Sequence, residues 1–216
     1  MTHARVHVIM LHLLTTACAA AASTRLICSD VDGTLLTPRH RPTARTVQTV
    51  LKTMEQVDFC TCTGRGRFGA YNALGPIGDA LRDSGAPGVF LNGLLTYGPG
   101  GDEILSEQTL PTEVVGVAAA FAEMHGAKLV GFQRDTIVCD EHSEWSDLFP
   151  SIYEPSPIAR GPWKRIIADG GTKFNKLIVL APPERHQETL RPLLSEALSD
   201  SASLTMAVPT MCKDRG

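Results

Sequence analysis

Asp30 and Asp32 stand one residue apart in the stretch L-I-C-S-D-V-D-G-T-L-L (residues 26–36), and Gly33 and Thr34 follow them at once. An apolar run leads into them, Leu26 to Cys28 extended back to Thr24, and reads as a buried strand. The two carboxylates then fall at the carboxyl end of that strand, where open α/β sheets place their ligands. The residue between them lets both acids face one crevice while Gly33 and Thr34 turn the chain away. A solvated Asp-Gly turn closing a hairpin is the competing reading. Five residues in this order behind a buried strand favour the catalytic one, subject to the context that surrounds them.

The elements that must position these acids can be traced along the chain. Thr37 to Pro42 is a polar, proline-bearing loop. Ala44, Val47, Val50, Leu51, Met54 and Val57 recur at helical spacing behind a Thr43 N-cap. Val57 to Cys62 reads as a second strand, ending in Thr63-Gly64-Arg65. Strand, acidic loop, helix and strand make a βαβ unit, so the two strands should run parallel, with Thr63 beside Asp30. Phe68 to Leu81 is partly helical and broken near Gly75-Pro76. Gly88 to Leu91 is a short strand ending in Asn92-Gly93. Leu94 to Tyr97 and Glu103 to Leu105 flank a glycine-rich hairpin turn.

The character changes after Pro111. Val114, Val117, Ala118, Phe121 and Ala122 form a helical stripe capped by Thr112 and stopped near Gly126. Strands are expected at 128–132, 136–139, 175–180 and 203–208. A second amphipathic helix lies within Pro183 to Leu198, where Pro192 must either kink it or mark its first turn. Residues 142–172 are the least readable part, and Asp169-Gly170 within them reads as a turn. The whole is an α/β protein: a doubly wound parallel (Rossmann-like) core over 25–110 and an inserted α+β unit over 111–210. A divergent tail, 211–216, closes the sequence.

With 216 residues, 43% hydrophobic residues and a net charge of −3, the composition is that of an ordinary globular chain. The near-balanced charge carries no footprint for nucleic acid and no basic patch for an anionic membrane. The six cysteines show no C-x-x-C spacing. Cys28, Cys60, Cys62 and Cys139 sit in strand-like apolar runs and read as buried free thiols, not as a zinc site or a disulfide framework. Residues 1–23 lack acids, carry Arg5 and an apolar stretch, and run into a small-residue tract. They resemble a signal peptide, less closely an organelle transit peptide, and are too short for a membrane span. A disordered extension or mis-assigned start is the alternative, and the protein would otherwise be cytoplasmic.

The S-D-V-D-G-T-L-L loop, the strand-terminal T-G-R at 63–65 and the N-G at 92–93 together resemble the haloacid dehalogenase-like hydrolases. The order of elements is similar to the Cof-like branch with a large inserted cap. That resemblance implies phosphomonoester hydrolysis of a small phosphorylated metabolite, a sugar phosphate first among them. Asp30 would be the nucleophile, forming an aspartyl-phosphate, and Asp32 the general acid and then base. Mg²⁺ would sit on the Asp30 carboxylate and the Asp32 backbone carbonyl. Thr63 would donate to a phosphoryl oxygen, with backbone N–H groups around Gly33 and Gly64, and Arg65 and Asn92 would complete the phosphate and leaving-group contacts. Taken alone, Thr63 reads as a helix N-cap, Arg65 as a surface charge and Asn92 as a hairpin turn residue. Lys173 and Lys176 read as solvated lysines rather than the phosphate-neutralising one.

The family's pattern also calls for a later lysine and a G-D-x-x-x-D-type acidic loop, and neither is in this sequence. Lower Mg²⁺ affinity and an exposed edge on the first strand are the expected consequences. A truncated, inactive product that only binds phosphate or a partner is therefore the alternative to an active phosphatase. A phosphosugar mutase on the same fold is a third reading, one that would need a bisphosphate activator.

Overall fold

The computed structural model describes residues 26–185 and 189–205. Residues 1–23, the tail 211–216 and residues 206–208 of the strand expected at 203–208 lie outside these, and 203–205 are described without strand structure. No described helix is long and apolar enough to cross a membrane.

A first sheet has the order β1-β2-β3-β4-β5, with β1 Leu26–Ser29, β2 Asp58–Cys62, β3 Gly88–Phe90, β4 Leu95–Tyr97 and β5 Ile104–Glu107. β1, β2 and β3 are parallel, and β4 and β5 add an antiparallel hairpin. The connection from β1 to β2 is α1 (Ala44–Met54). Its apolar stripe turns toward the core through Val47, Val50 and Met54. Thr43 caps it, accepting the Thr46 N–H at 3.0 Å. The expected βαβ unit is therefore present.

The break expected at Gly75-Pro76 separates α2 (Arg67–Leu74) from α3 (Pro76–Asp83). Gly75 takes a φ of +56°, which a residue with a Cβ resists, and Pro76 opens the next helix where its missing N–H costs nothing. The two helices pack so closely that a Cβ on Gly78 would lie 1.9 Å from the Tyr71 carbonyl oxygen. Phe90 meets Tyr71 and Tyr97 edge-on at the centre of this core.

A second sheet has the order β8-β7-β6-β9, built from β6 Lys128–Gln133, β7 Thr136–Cys139, β8 Ile158–Ala159 and β9 Lys176–Leu180. Alternate side chains of β6 serve two cores. Leu129 joins α4 (Thr112–Met124), α5 (Trp163–Ala168) and the helix Arg191–Leu198. Val130 and Phe132 face the other way, into the cluster that holds Phe90, Leu91 and Leu95 of the first unit. Residues of both sheets thus meet in this cluster. Asn175 ties them further, taking the Arg134 N–H at 2.8 Å and donating to the Gln108 carbonyl at 2.9 Å.

Two expectations need correction. β1 is not buried: Leu26 is 46% exposed and Cys28 is exposed, because β1 forms the edge of its sheet among the described residues. Thr112 is the first helical residue of α4, and Pro111 holds the cap position instead. Residues 142–172, the least readable part of the sequence, hold a 3₁₀ stretch Ser146–Ile152, β8 and α5. Pro192 resolves in favour of the first turn of its helix.

Candidate active site

After β1 the chain folds into a tight turn around Val31. That residue is fully buried, and its carbonyl accepts the N–H groups of Thr34, Leu35 and Leu36 at 3.4, 3.0 and 3.0 Å. Gly33 makes the turn with φ +78°. Burying Val31 leaves its neighbours Asp30 and Asp32 on the open side of the turn, both exposed. The Thr34 hydroxyl donates to Asp30 Oδ2 at 3.1 Å, which fixes that carboxylate.

β2 runs parallel to β1 with Ser29 opposite Thr61, so the two strands end together. Thr63 follows, buried at 6% exposure, its N–H on the Val89 carbonyl at 2.9 Å and its Oγ1 accepting the Arg65 N–H at 3.2 Å. It is therefore not the N-cap of α2, a place that Gly66 takes. Asn92 is both things the sequence allowed. It has left-handed backbone (φ +61°) in the turn between β3 and β4, and its side chain lies against Gly64, where a Cβ would come within 2.5 Å of its Oδ1.

Arg65 is where the structure departs most from the expectation. Its Nε and Nη2 donate to Asp32 Oδ2 and Oδ1 at 2.7 and 2.8 Å, a two-pronged pair. Its Nη1 donates to the Ile152 carbonyl of the second unit. Arg65 is thus not a surface charge: it engages both oxygens of Asp32 and keeps one N–H on each terminal nitrogen unused by these bonds. His40 Nδ1 stands 4.0 Å from Asp32 Oδ1.

Three consecutive residues of the second unit dock beside this pair. Ile152 meets Arg65. Tyr153 accepts from Arg41 Nε through its hydroxyl, with the Arg41 guanidinium 5.6 Å from its ring centre. Glu154 is buried at 7% exposure over the first turn of α2, where only glycine leaves it room, since a Cβ on Gly69 would lie 2.3 Å from its carboxyl carbon. Its Oε2 has no hydrogen-bond partner. Burial pushes the Glu154 carboxyl up to about 7, against the pull of Arg65, Lys176 and the Gly66 amide.

Lys176 corrects the sequence reading as well. It is not solvated: its Nζ donates to the Gly64 carbonyl at 3.1 Å and lies 4.7 Å from the Phe132 ring centre. Burial lowers its pKa, with Glu154 opposing the shift. Lys173 is exposed, as expected. The sequence reasoning passed over Arg41, Tyr153 and Glu154, which sit in loops without periodicity. Lys176 did carry a signal, a lone lysine opening the apolar strand K-L-I-V-L.

The oxygens that would hold a hard divalent cation are the exposed Asp30 carboxylate and, as the family resemblance implies, the Asp32 backbone carbonyl. Among the described residues no third carboxylate joins them, for the one grouping of three or more ligand-type side chains is of thiols. Such a set fits Mg²⁺, which keeps several of its own waters, and fits it thinly. Two clefts of about 320 and 660 Å³ lie elsewhere, both lined by Arg67 and Asp135, and neither includes Asp30, Asp32 or Thr63.

A parallel α/β sheet that delivers two aspartates and a Thr-Gly-Arg turn to one end, with a second α+β layer docked over them, defines a hydrolase-type α/β protein. The family model for haloacid dehalogenase-like hydrolases matches residues 27–205, and the chain belongs to that family. It is 26% identical over 191 residues to a chloroplastic endoribonuclease YBEY of Arabidopsis thaliana, covering 86% of this chain and 32% of that protein. It is also 26% identical over 209 residues to an uncharacterised hydrolase of Schizosaccharomyces pombe, covering 86% and 62%. Among solved structures, a subclass IIB sugar phosphatase of the same superfamily superposes with a TM-score of 0.61 at 18% identity, covering 81% of this chain and 63% of that one. In each case the chain spans less than two thirds of the relative's length.

Proposed function

We propose that this site hydrolyses the phosphomonoester of a small metabolite, with a sugar phosphate as the first class to test. The observation that carries the reading is Asp30: exposed at the carboxyl end of a parallel strand and oriented by the Thr34 hydroxyl, with Thr63 at the end of the neighbouring strand. A carboxylate so placed attacks phosphorus to form an aspartyl-phosphate as the bond to the alcohol breaks. Asp32 gives the leaving oxygen a proton and then takes one from the attacking water. Thr63 and the amides about Gly33 and Gly64 hold the phosphoryl oxygens. A bound Mg²⁺, on the Asp30 carboxylate and the Asp32 carbonyl, would neutralise phosphoryl charge. The second unit, a cap in this reading, shields the site from water through the docking of Ile152, Tyr153 and Glu154. The sugar-phosphate class draws support from the likeness to a sugar phosphatase, a likeness of fold.

A second reading, binding of phosphate without turnover, is favoured by the Asp32–Arg65 pair, which keeps the acid engaged. One experiment separates the two. The purified chain is given p-nitrophenyl phosphate and a panel of sugar phosphates with and without Mg²⁺, beside Asp30→Asn. Mg²⁺-dependent release of phosphate that is lost in Asp30→Asn supports hydrolysis. Activity surviving in Asp30→Asn removes Asp30 as the nucleophile. Phosphate binding with no turnover supports the second reading.

A further inference from the structure

Three thiols that the sequence scatters over 35 positions meet at the β1–β2 step, directly beneath the acidic loop. Cys28 and Cys60 are register partners on the two parallel strands, and Cys62 lies two residues further along β2. Side chains two apart on a strand share a face, so all three sulfurs project from one side of the sheet. The three sulfurs lie within 4.8 Å of one another, and Cys28 and Cys60 approach to 3.0 Å. Their hydrogen-bond partners are each other. The backbone that sets this spacing is sheet, so the grouping is held before any ligand arrives.

We propose that Cys28, Cys60 and Cys62 form a thiolate site for a divalent d¹⁰ cation of the zinc class, separate from the oxygen site at Asp30. Bonds of about 2.3 Å to a tetrahedral zinc put sulfurs about 3.8 Å apart. The pair at 3.0 Å has to open and the third sulfur to close by less than an ångström or so. Binding replaces three S–H protons, which leave to solvent, and the assembled site carries one net negative charge. The fourth position opens on the exposed Cys28 side, where water can occupy it.

The chemistry also says which ions are refused. Three sulfurs and no carboxylate make a soft donor set, which does not suit ions that prefer oxygen. Only a cation with strong bonds to sulfur fits it. Zinc-class ions and Mg²⁺ would therefore not compete for one place. The bound ion would staple the edge strand β1 to β2 at the point from which Asp30 and Thr63 depart, and its binding energy would add to the stability of the fold.

The test uses the full chain, reduced and anaerobic, titrated with Cd²⁺ and, separately, with Zn²⁺. One equivalent of Cd²⁺ should produce a sulfur-to-metal charge-transfer band, with release of protons to a weak buffer. Zn²⁺ added to the metal-free chain should raise the melting temperature, and Cd²⁺ should displace it with growth of the band, since thiolates hold the softer ion more tightly. Cys28→Ser and Cys62→Ser, at the more exposed positions, should each weaken Cd²⁺ binding by more than about tenfold. Cys139→Ala and Asp30→Asn should leave the band in place. Absence of the band, or its full persistence in Cys62→Ser, overturns the proposal. So does a preparation in which Cys28 and Cys60 oxidise to a disulfide at the same rate with and without Zn²⁺, since a bound cation must protect them.

Discussion

Glu154 should make this protein less stable as the pH rises from about 4.5 to about 7, and Glu154→Gln should remove that dependence. In the folded chain the carboxyl titrates near 7, against an ordinary value of 4.5, because the fold buries it over Gly66 and Gly69. Below pH 4.5 both folded and unfolded chains hold the proton and the group contributes nothing to the difference. Between 4.5 and about 7 the unfolded chain releases its proton while the folded chain keeps it, so stability falls with pH. Above about 7 both are ionised and the loss is complete. At about 1.4 kcal/mol per unit, the full loss is roughly 3 kcal/mol. Lys176 acts in the opposite sense. Its lowered pKa brings stability back only as pH climbs toward the ordinary lysine value of 10.5.

The glutamine variant keeps the shape of the side chain and loses the ionisation. Urea unfolding followed by tryptophan fluorescence, at intervals from pH 5 to 8, measures both chains. Wild type should fall by roughly 2–3 kcal/mol relative to Glu154→Gln across that range, with most of the change complete by pH 7. Hydrogen exchange should show the loss first at residues 152–154, because ionised Glu154 works against their docking on α2. Parallel pH profiles for the two proteins would refute the argument that the buried carboxyl is held neutral.

Two further substitutions test packing and capping. Gly78→Ala places a Cβ 1.9 Å from the Tyr71 carbonyl oxygen, backbone against backbone, so neither side can yield cheaply. A loss of about 3 kcal/mol is expected in urea unfolding, and a loss below about 1 kcal/mol would mean that α2 and α3 separate easily. Thr43→Ala removes the acceptor of the Thr46 N–H and should cost about 1 kcal/mol, with faster amide exchange confined to the first turn of α1.

The sequence was most readable where local chemistry and periodicity agree. α1 shows Thr43 followed by apolar residues at helical steps, and the structure caps and buries it accordingly. Gly75-Pro76 marked the junction of α2 and α3, where positive φ and a missing N–H leave few choices. The acidic loop was readable because burying Val31 forces Asp30 and Asp32 outward. What could not be read depends on contacts between residues far apart in sequence. Arg65 reaches Asp32 and Ile152, Glu154 reaches the glycines of α2, and Lys176 reaches Gly64. Nothing in the spacing of residues 142–172 announces these meetings. The cysteines make the same point: the pattern Cys60-x-Cys62 has no metal spacing of its own, and Cys28 joins it only through the register of two parallel strands.

Arg65 joins the two halves of the site, and its inventory of donors says what a substrate must do under the proposed reaction. A guanidinium has five N–H groups. Here Nε and one N–H of Nη2 serve Asp32, and one of Nη1 serves Ile152. Two remain, one on each terminal nitrogen, so an arriving phosphate can be met at first without breaking anything. Full neutralisation of its charge, however, competes with Asp32 for the same fork, since planar two-pronged pairing suits either anion. Asp32 is exposed and can swing into water at little desolvation cost, whereas Arg65 is largely buried and stays anchored through Ile152. The exchange therefore runs in one direction: Asp32 moves and Arg65 holds still. Substrate charge then frees the Asp32 carboxylate, which takes a proton from solvent before it can give one to the leaving group. Without substrate, Asp32 remains tied down, and the docked residues 152–154 share the arginine that ties it.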